Sequence, residues 1–457
     1  MEQLTALDAG FLEVEDSDPH VSLAVGGVSI VEGPAPAYEE FVTSFAQRVE
    51  TIPRCRQVLR TYPLDLRPPE WVDDPHFDLA RHLHRIALPH PGGDAELFEM
   101  IATLMERRLD RERPLWECWI VEGLSEDRWA VLTKVHHCIA DGIATAQLLA
   151  KFSDDGDGDT FAADVGAARK PHRPGTGLTL NPLSWASGIG RSALGAVAAA
   201  EHAAIGVAEL AADLLRPAPE SSLHGPVTTM RRYSAARARL TDMHKVARAF
   251  GVTLNDVALA AITDSYRAVL LARGETPGRD SLRTLVPVSV RALDHFNVAG
   301  NRVSAMLPLL PVDEADPVQQ LKLVHERLTH AKASGQSEGA SAVVVAARRT
   351  PFALSAWTIR LLSRLPQRAV VALATNVPGP RSRQRLMGRR VLELLPVPPI
   401  ALQVRTGIAM LSYADSFVFG ITADYDTAPD IDALAVGIEN GMAQLVAAAR
   451  ARRRKQS

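Results

Sequence analysis

"KVHHCIADGIATAQLLAKF", Lys134 to Phe152, sets two histidines side by side and then, four residues past the second, an Asp-Gly pair that opens a helical pattern. The residues leading into it, "WAVLTKVHH" (Trp129 to His137), read as a β-strand. Side chains alternate along a strand, so Val131, Thr133, Val135 and His137 are expected on one face and Leu132, Lys134 and His136 on the other. On that reading the two imidazoles diverge. A single metal ion would need them to converge, and no other His, Cys or carboxylate cluster with ligand spacing lies nearby in the sequence. The strand is expected to end near His137, with Asp141 capping the next helix and Gly142 letting its backbone pack closely. An imidazole at the mouth of a sheet, with a reference pKa of about 6.5, suits a general base. From the residues alone, His136 reads as a hydrogen-bonded core residue, and His137 stays open between core packing and proton transfer. A Ser-His-Asp hydrolase mechanism is poorly supported.

The chain has 457 residues, which favours two domains over one core. It is 47% hydrophobic and 23% charged with a formal charge of −3, an ordinary globular balance that points away from nucleic acid. Cys55, Cys118 and Cys138 are too few and too scattered for a disulfide framework and read as reduced, mostly buried thiols. The start, "MEQLTALDAGFLEVEDSDPH", lacks a secretory pattern, so a cytoplasmic location is expected.

Ser184 to Glu220 is Ala-rich but carries Arg191, Glu201, His202, Glu209 and Asp213, too many charges for a membrane span. Gly-, Pro- and charge-rich flanks mark it as a connector containing a helix, which either packs across two lobes or touches a lipid surface. Residues 1–155 and 227–457 are expected to form the lobes, with 156–226 between them. "DSLRTLVPVSV" (Asp280 to Val290) and "DSFVFGITADYD" (Asp415 to Asp426) look extended, and "LFEMIATLMERRLD" (Leu97 to Asp110) and "LNDVALAAITDSYRAVLLARG" (Leu254 to Gly274) look helical. Strands mixed with helices on both sides of the connector give an α/β fold.

H-H-x-x-x-D-G is the signature of the coenzyme A-dependent acyltransferase superfamily, and His136, His137, Asp141 and Gly142 match it without a gap. Within that superfamily the chain resembles the bacterial wax ester synthase/diacylglycerol acyltransferase family. The motifs that carry the resemblance are "LDAGFLEVE", "RPLWECWIVEGL" (Arg113 to Leu124), "LNDVALA" (Leu254 to Ala260), "VPVSVR" with "GNRVSAMLPLLP" (Gly300 to Pro311), and "TNVPGP" (Thr375 to Pro380). Thr375 stands where the family usually has serine, which keeps the hydroxyl.

The resemblance implies two chloramphenicol-acetyltransferase-like lobes, each a mixed sheet with flanking helices, and an active-site tunnel between them. It also implies His137 as the base that deprotonates a lipid alcohol, diacylglycerol or a long-chain alcohol, for attack on acyl-CoA. No permanent cofactor and no metal are called for. Asp141 would be a structural residue paired with an arginine, with Arg291 the candidate.

Pro114, Leu115 and Trp116 are candidates for the substrate channel, or else a strand anchor. Asn255 and Asp256 are channel candidates too, although Thr253 with Asp256 equally makes a capping box. Asn376, Pro378 and Gly379 complete the set, with Pro378-Gly379 expected as a type II turn in which Gly379 takes positive φ. Arg381, Arg383 and Arg385 are candidates for the coenzyme A phosphates, or a solvated face. "ASAVVVAARRTPFALSAW" and "LLPVPPIAL" are acyl-channel candidates or ordinary core. Two other readings stand beside this one: a sister acyltransferase with a polyketide or carrier-bound acceptor, and a catalytically silent homologue at a membrane or lipid-body surface.

Overall fold

The computed structural model describes residues 2–63, 66–139, 152–155, 160–161, 216–289, 303–333, 352–363 and 367–456. The chain opens with strand β1 (Glu2–Gln3) and helix α1 (Ala6–Ser17), where the Thr5 hydroxyl accepts the Asp8 N–H as an N-cap. Next come β2 (Ala24–Glu32), α2 (Tyr38–Glu50), β3 (Gln57–Arg60), β4 (Glu70–Asp73), β5 (Leu83–Ala87), α3 (Asp94–Glu106), β6 (Trp116–Leu124) and β7 (Arg128–His136). After the connector follow β8 (Arg231–Arg239), α4 (Leu240–Phe250), α5 (Leu254–Ala272), β9 (Thr284–Ser289) and β10 (Val303–Met306). The rest is α6 (Pro317–Ala333), α7 (Phe352–Ser363), β11 (Ala372–Pro378), β12 (Arg385–Leu386), β13 (Arg389–Val397), β14 (Thr406–Tyr413), β15 (Ser416–Asp424) and α8 (Ile431–Gln456).

Two six-stranded mixed sheets organise these elements, one in the order β12-β13-β2-β7-β6-β5 and the other β10-β9-β11-β14-β15-β8. β7 is central in the first sheet and buried on both faces, which is why its sequence is an almost unbroken apolar run and not an alternation. Each sheet has its own hydrophobic core, one including Phe41, Trp116 and Trp129 and the other including Tyr266, Phe419 and Ile438. Two lobes of mixed sheet and helix follow from this. A small antiparallel sheet, β1-β4-β3, flanks the first.

The sheets do not divide at the connector. β12 and β13 lie well inside the segment 227–457 yet extend the first sheet, with β13 antiparallel to β2 from Val391↔Val31 to Val397↔Gly26. The apolar run of β13 covers what would otherwise be the open edge of β2. Across the lobes, Arg237 of β8 binds both Glu393 of β13 (2.7 Å) and Asp94 of α3 (2.8 Å), and the Tyr233 hydroxyl donates to the Pro396 carbonyl.

The strands expected over 280–290 and 415–426 are β9 and β15, and the expected capping box opens α5: the Asp256 N–H donates to Thr253 Oγ1, and the Thr253 N–H to the Asp256 carboxylate. α4 stops at Gly251, a left-handed C-cap at φ 73°, and α5 leaves at a bend of 100°. No single helix among the described residues is long and apolar enough to cross a membrane. The Ala-rich connector helix lies almost wholly outside the described residues.

Candidate active site

β7 ends one residue short of what alternation needs. His136 is its last residue, opposite Ala24 of β2, and His137 already belongs to the turn that follows. The expected divergence of the two imidazoles is therefore not observed: both meet helix α1. The His137 ring stacks on Phe11 with centroids 4.0 Å apart and planes 21° from parallel, and His136 Nε2 lies 3.3 Å from Glu15 Oε2. Phe11 and Glu15, four residues apart on a helix, share one face. The backbone pins the step, with the His136 N–H donating to the Leu115 carbonyl and the His137 N–H to the Leu23 carbonyl, each at 3.0 Å.

The two histidines differ in what surrounds them. His136 is 1% exposed, and its Nδ1 accepts the Cys138 N–H at 3.1 Å. The ring proton is thus left on Nε2, which donates to Glu15. Glu15 also accepts the Leu23 N–H (2.9 Å) and Arg111 Nη2 (2.7 Å). Burial by itself would raise the Glu15 carboxyl, but its contact with His136, helped by the Leu23 N–H and Arg111, overrides that and holds it at about 2. His136 is a buried anchor tied to α1. His137 is half-buried at the strand end, with one ring face against Phe11.

Two neighbours narrow the chemistry. Burial pushes the Cys138 thiol up, which disfavours the thiolate a cysteine nucleophile would need. Burial pulls the Lys134 ammonium down to about 8, and its Nζ donates to the Leu104 carbonyl (2.7 Å) and the Arg107 carbonyl at the C-terminal end of α3. That tie locks β7 to α3. Among the described residues no group of three or more His, Cys, Asp or Glu side chains could hold a metal ion.

The other sequence candidates divide sharply. Pro114, Leu115 and Trp116 are buried directly beneath the pair: Leu115 supplies the carbonyl that holds His136, and Trp116 donates from Nε1 to the Cys55 carbonyl (2.8 Å) and stacks on His82 at 4.7 Å. This is strand anchoring. Asn255 and Asn376 meet across α5 and β11, Nδ2 to Oδ1 at 3.4 Å, while Asn376 Oδ1 is buried with no hydrogen-bond partner among the described residues. Asp256, besides its cap, lies 2.8 Å from His325 Nδ1 on α6.

Pro378 and Gly379 do not form the expected turn. Gly379 lacks positive φ and continues the extended path of β11, its carbonyl accepting the Phe161 N–H. What requires glycine is crowding, since a Cβ there would sit 2.3 Å from the Ser412 carbonyl oxygen of β14. The three arginines are not one open cluster either. Arg381 donates to the Thr160 carbonyl and lies over the Phe161 ring, Arg383 pairs with Asp415 at 3.1 Å, and Arg385 has an exposed side chain. Asp154 and Asp155 accept the backbone N–H groups of Arg385, Met387 and Gly388, clasping this turn from the end of the 1–155 segment.

The wax ester synthase/diacylglycerol acyltransferase catalytic domain matches residues 4–258, and the C-terminal domain of the same family matches 299–446. The chain belongs to this family. It is 54% identical, over 99% of its own length and 97% of the relative's, to the Mycobacterium tuberculosis protein named "Probable diacyglycerol O-acyltransferase tgs1". A second M. tuberculosis relative with a diacylglycerol O-acyltransferase name is 47% identical, covering 98% of this chain and 91% of its own. In fold it is similar to the wax ester synthase/diacylglycerol acyltransferase from Marinobacter aquaeolei VT8, with a TM-score of 0.67, 24% identity, and coverage of 98% of this chain and all of that one. The chain is an O-acyltransferase of the wax ester synthase/diacylglycerol acyltransferase family.

Of the family signature, Asp141 and Gly142 lie outside the described residues, as does Arg291. So does Gly335-Gln336-Ser337-Glu338-Gly339, a G-x-S-x-G string. It follows helix α6, whereas a nucleophile elbow follows a strand, so it lends a serine mechanism no support. Sequence reasoning assigned no chemistry to α1, which supplies Phe11 and Glu15 to the pair. The available signal was an acid inside the helix's apolar stripe: Asp8, Leu12 and Glu15 follow helical spacing and are all buried.

Proposed function

We propose that this acyltransferase moves a fatty acyl group from acyl-CoA to the free hydroxyl of diacylglycerol, with His137 as general base. The imidazole takes the hydroxyl proton as the oxygen bonds to the thioester carbonyl carbon. The C–S bond then breaks, and the proton passes to the departing sulfur, giving triacylglycerol and free coenzyme A. The observation that carries this reading is the division of labour in the pair. His136 is committed to Glu15 and the Cys138 N–H, while His137 leaves the strand half-buried, its backbone N–H held by the Leu23 carbonyl and one ring face stacked on Phe11. The diacylglycerol O-acyltransferase names of the relatives favour a diacylglycerol acceptor.

Arg385, whose side chain is exposed, is the residue of its cluster best disposed to meet a coenzyme A phosphate. No permanent cofactor enters the scheme, and Asp141 with Arg291 is retained as the structural ion pair behind His137. The work would be done from the cytoplasm at a lipid surface. Purified protein given one acyl-CoA with either diacylglycerol or a long-chain alcohol, with lipid products separated by class, tests this reading. Triacylglycerol as the main product is expected. Wax ester alone would move the acceptor to alcohols, and no product from free acyl-CoA would favour a carrier-bound substrate.

A further inference from the structure

Lys134 is a buried lysine on the strand that delivers the histidine pair. It is 1% exposed and stands two residues before His136 on the same face of β7. Its partners are carbonyls: Nζ donates to Leu104 at 2.7 Å and to Arg107, both at the C-terminal end of α3. The charges around it are Glu117, its cross-strand neighbour on β6, Glu15 on α1 and Arg107 itself, while its neighbour on β2 is Gly26. A buried charge held by carbonyls costs stability that a methionine of similar length would not, and groups perturbed in this way gather at functional sites.

The carbonyls it holds belong to the network that sets His137. The Arg107 carbonyl also accepts the Ser22 hydroxyl at 3.3 Å. Arg108, the next residue, donates from Nε to the Val21 carbonyl (2.8 Å) and from Nη2 to the Glu15 and Asp18 carbonyls. Ser22 leads into Leu23, whose N–H is held by Glu15 and whose carbonyl accepts the His137 N–H. The end of α3 thus grips the segment 21–23 on one side and, through Lys134, β7 on the other. His137 stands where the two meet, its ring stacked on Phe11.

We infer that Lys134 is a positioning residue for the general base, its ammonium clamping the end of α3 so that β7 and Leu23 hold His137 in one place. The inference rests on the reading of His137 given above, and it carries a pH signature that His137 lacks. A histidine base stays competent above its own titration, so its rate should level off. Burial pulls Lys134 down from 10.5 to about 8, so the clamp loses its charge just above neutrality and its charge-assisted hydrogen bonds weaken. Stability runs the other way. Between about 8 and 10.5 the unfolded chain keeps this proton and the folded protein does not, so the group's contribution to the unfolding free energy rises with pH. Turnover and stability therefore move in opposite directions, whereas a merely structural lysine would leave turnover level.

The test is kcat and KM for an acyl-CoA with diacylglycerol from about pH 6 to 10, with enzyme-free hydrolysis subtracted and urea unfolding on the same samples. Wild-type kcat should reach a plateau and then fall on the order of tenfold above about pH 8, with both KM values unchanged. Lys134→Met should have a kcat on the order of tenfold lower at pH 7, unchanged KM values and no alkaline limb. Lys134→Arg, which keeps its charge throughout, should lie closer to wild type at pH 7 and also lack the limb. The unfolding free energy of wild type relative to Lys134→Met should rise through the same range. A level wild-type kcat up to the alkaline end overturns the inference, and this holds even where Lys134→Met does not fold. So does an alkaline limb that persists in Lys134→Met, or a wild-type kcat in that variant. No turnover by folded wild type at any pH overturns acyl transfer itself, and the inference with it.

Discussion

Glu15→Gln isolates the contact that holds the histidine pair to α1. The carboxylate accepts three donors, the Leu23 N–H, Arg111 and His136 Nε2–H, at 1% exposure. Glutamine offers one acceptor oxygen and turns an NH₂ toward at least one of those donors. The carboxyl's fall from 4.5 to about 2 puts the stabilisation of its charged form at about 3 kcal/mol, and breaking a buried charged contact costs about 3 to 5 kcal/mol. Urea unfolding at pH 7 should therefore show a loss of about 3 kcal/mol.

The pH dependence has a definite sign. A carboxyl whose folded pKa is depressed stabilises the protein above its unfolded value of 4.5, and that contribution drains away as pH falls toward about 2. Wild type and variant should thus converge between pH 4.5 and 2. Turnover should fall as well, because Leu23 loses the acceptor of its N–H while its carbonyl holds the His137 N–H. A variant within about 0.5 kcal/mol of wild type at pH 7, with a parallel acid limb, would refute the reasoning.

Gly379→Ala, with its Cβ 2.3 Å from the Ser412 carbonyl oxygen, should separate β11 from β14 and cost about 1 to 3 kcal/mol in chemical unfolding; no loss would show that the strands part freely. Asp141→Asn and Arg291→Ala should each lower stability and activity, and the double variant should be clearly less impaired than their sum. Strict additivity in the unfolding free energies would mean that Arg291 is the wrong partner.

Elements built on local apolar periodicity were legible in the sequence. β7, β9, β15 and α5 occur where the pattern put them, and α3 starts at Asp94, ahead of the expected Leu97, because its first turn is a polar cap of Asp94 and Glu96 that adds nothing to an apolar stripe. The addition of β13 to the first sheet was not legible. Its pairing with β2 spans most of the chain and leaves no local mark. At the site, the motif singled out the histidine pair, but strand alternation mispredicted where the rings point because β7 stops at His136 and the turn swings His137 back to α1. Gly379 was recognised as special for the wrong reason. A positive φ can be guessed from Pro-Gly, whereas a neighbouring strand's carbonyl oxygen 2.3 Å from where a Cβ would sit cannot.

The division of labour between the two histidines is tested most directly by single-turnover thiol release from an acyl-CoA with saturating diacylglycerol, comparing His137→Ala and His136→Ala with wild type and measuring unfolding on the same samples. Loss of proton transfer predicts a rate about 10²- to 10⁴-fold lower for His137→Ala at near-native stability, and for His136→Ala a smaller loss of rate with a larger loss of stability. Wild-type rates in His137→Ala, or the two variants exchanging these signatures, would contradict His137 as the base.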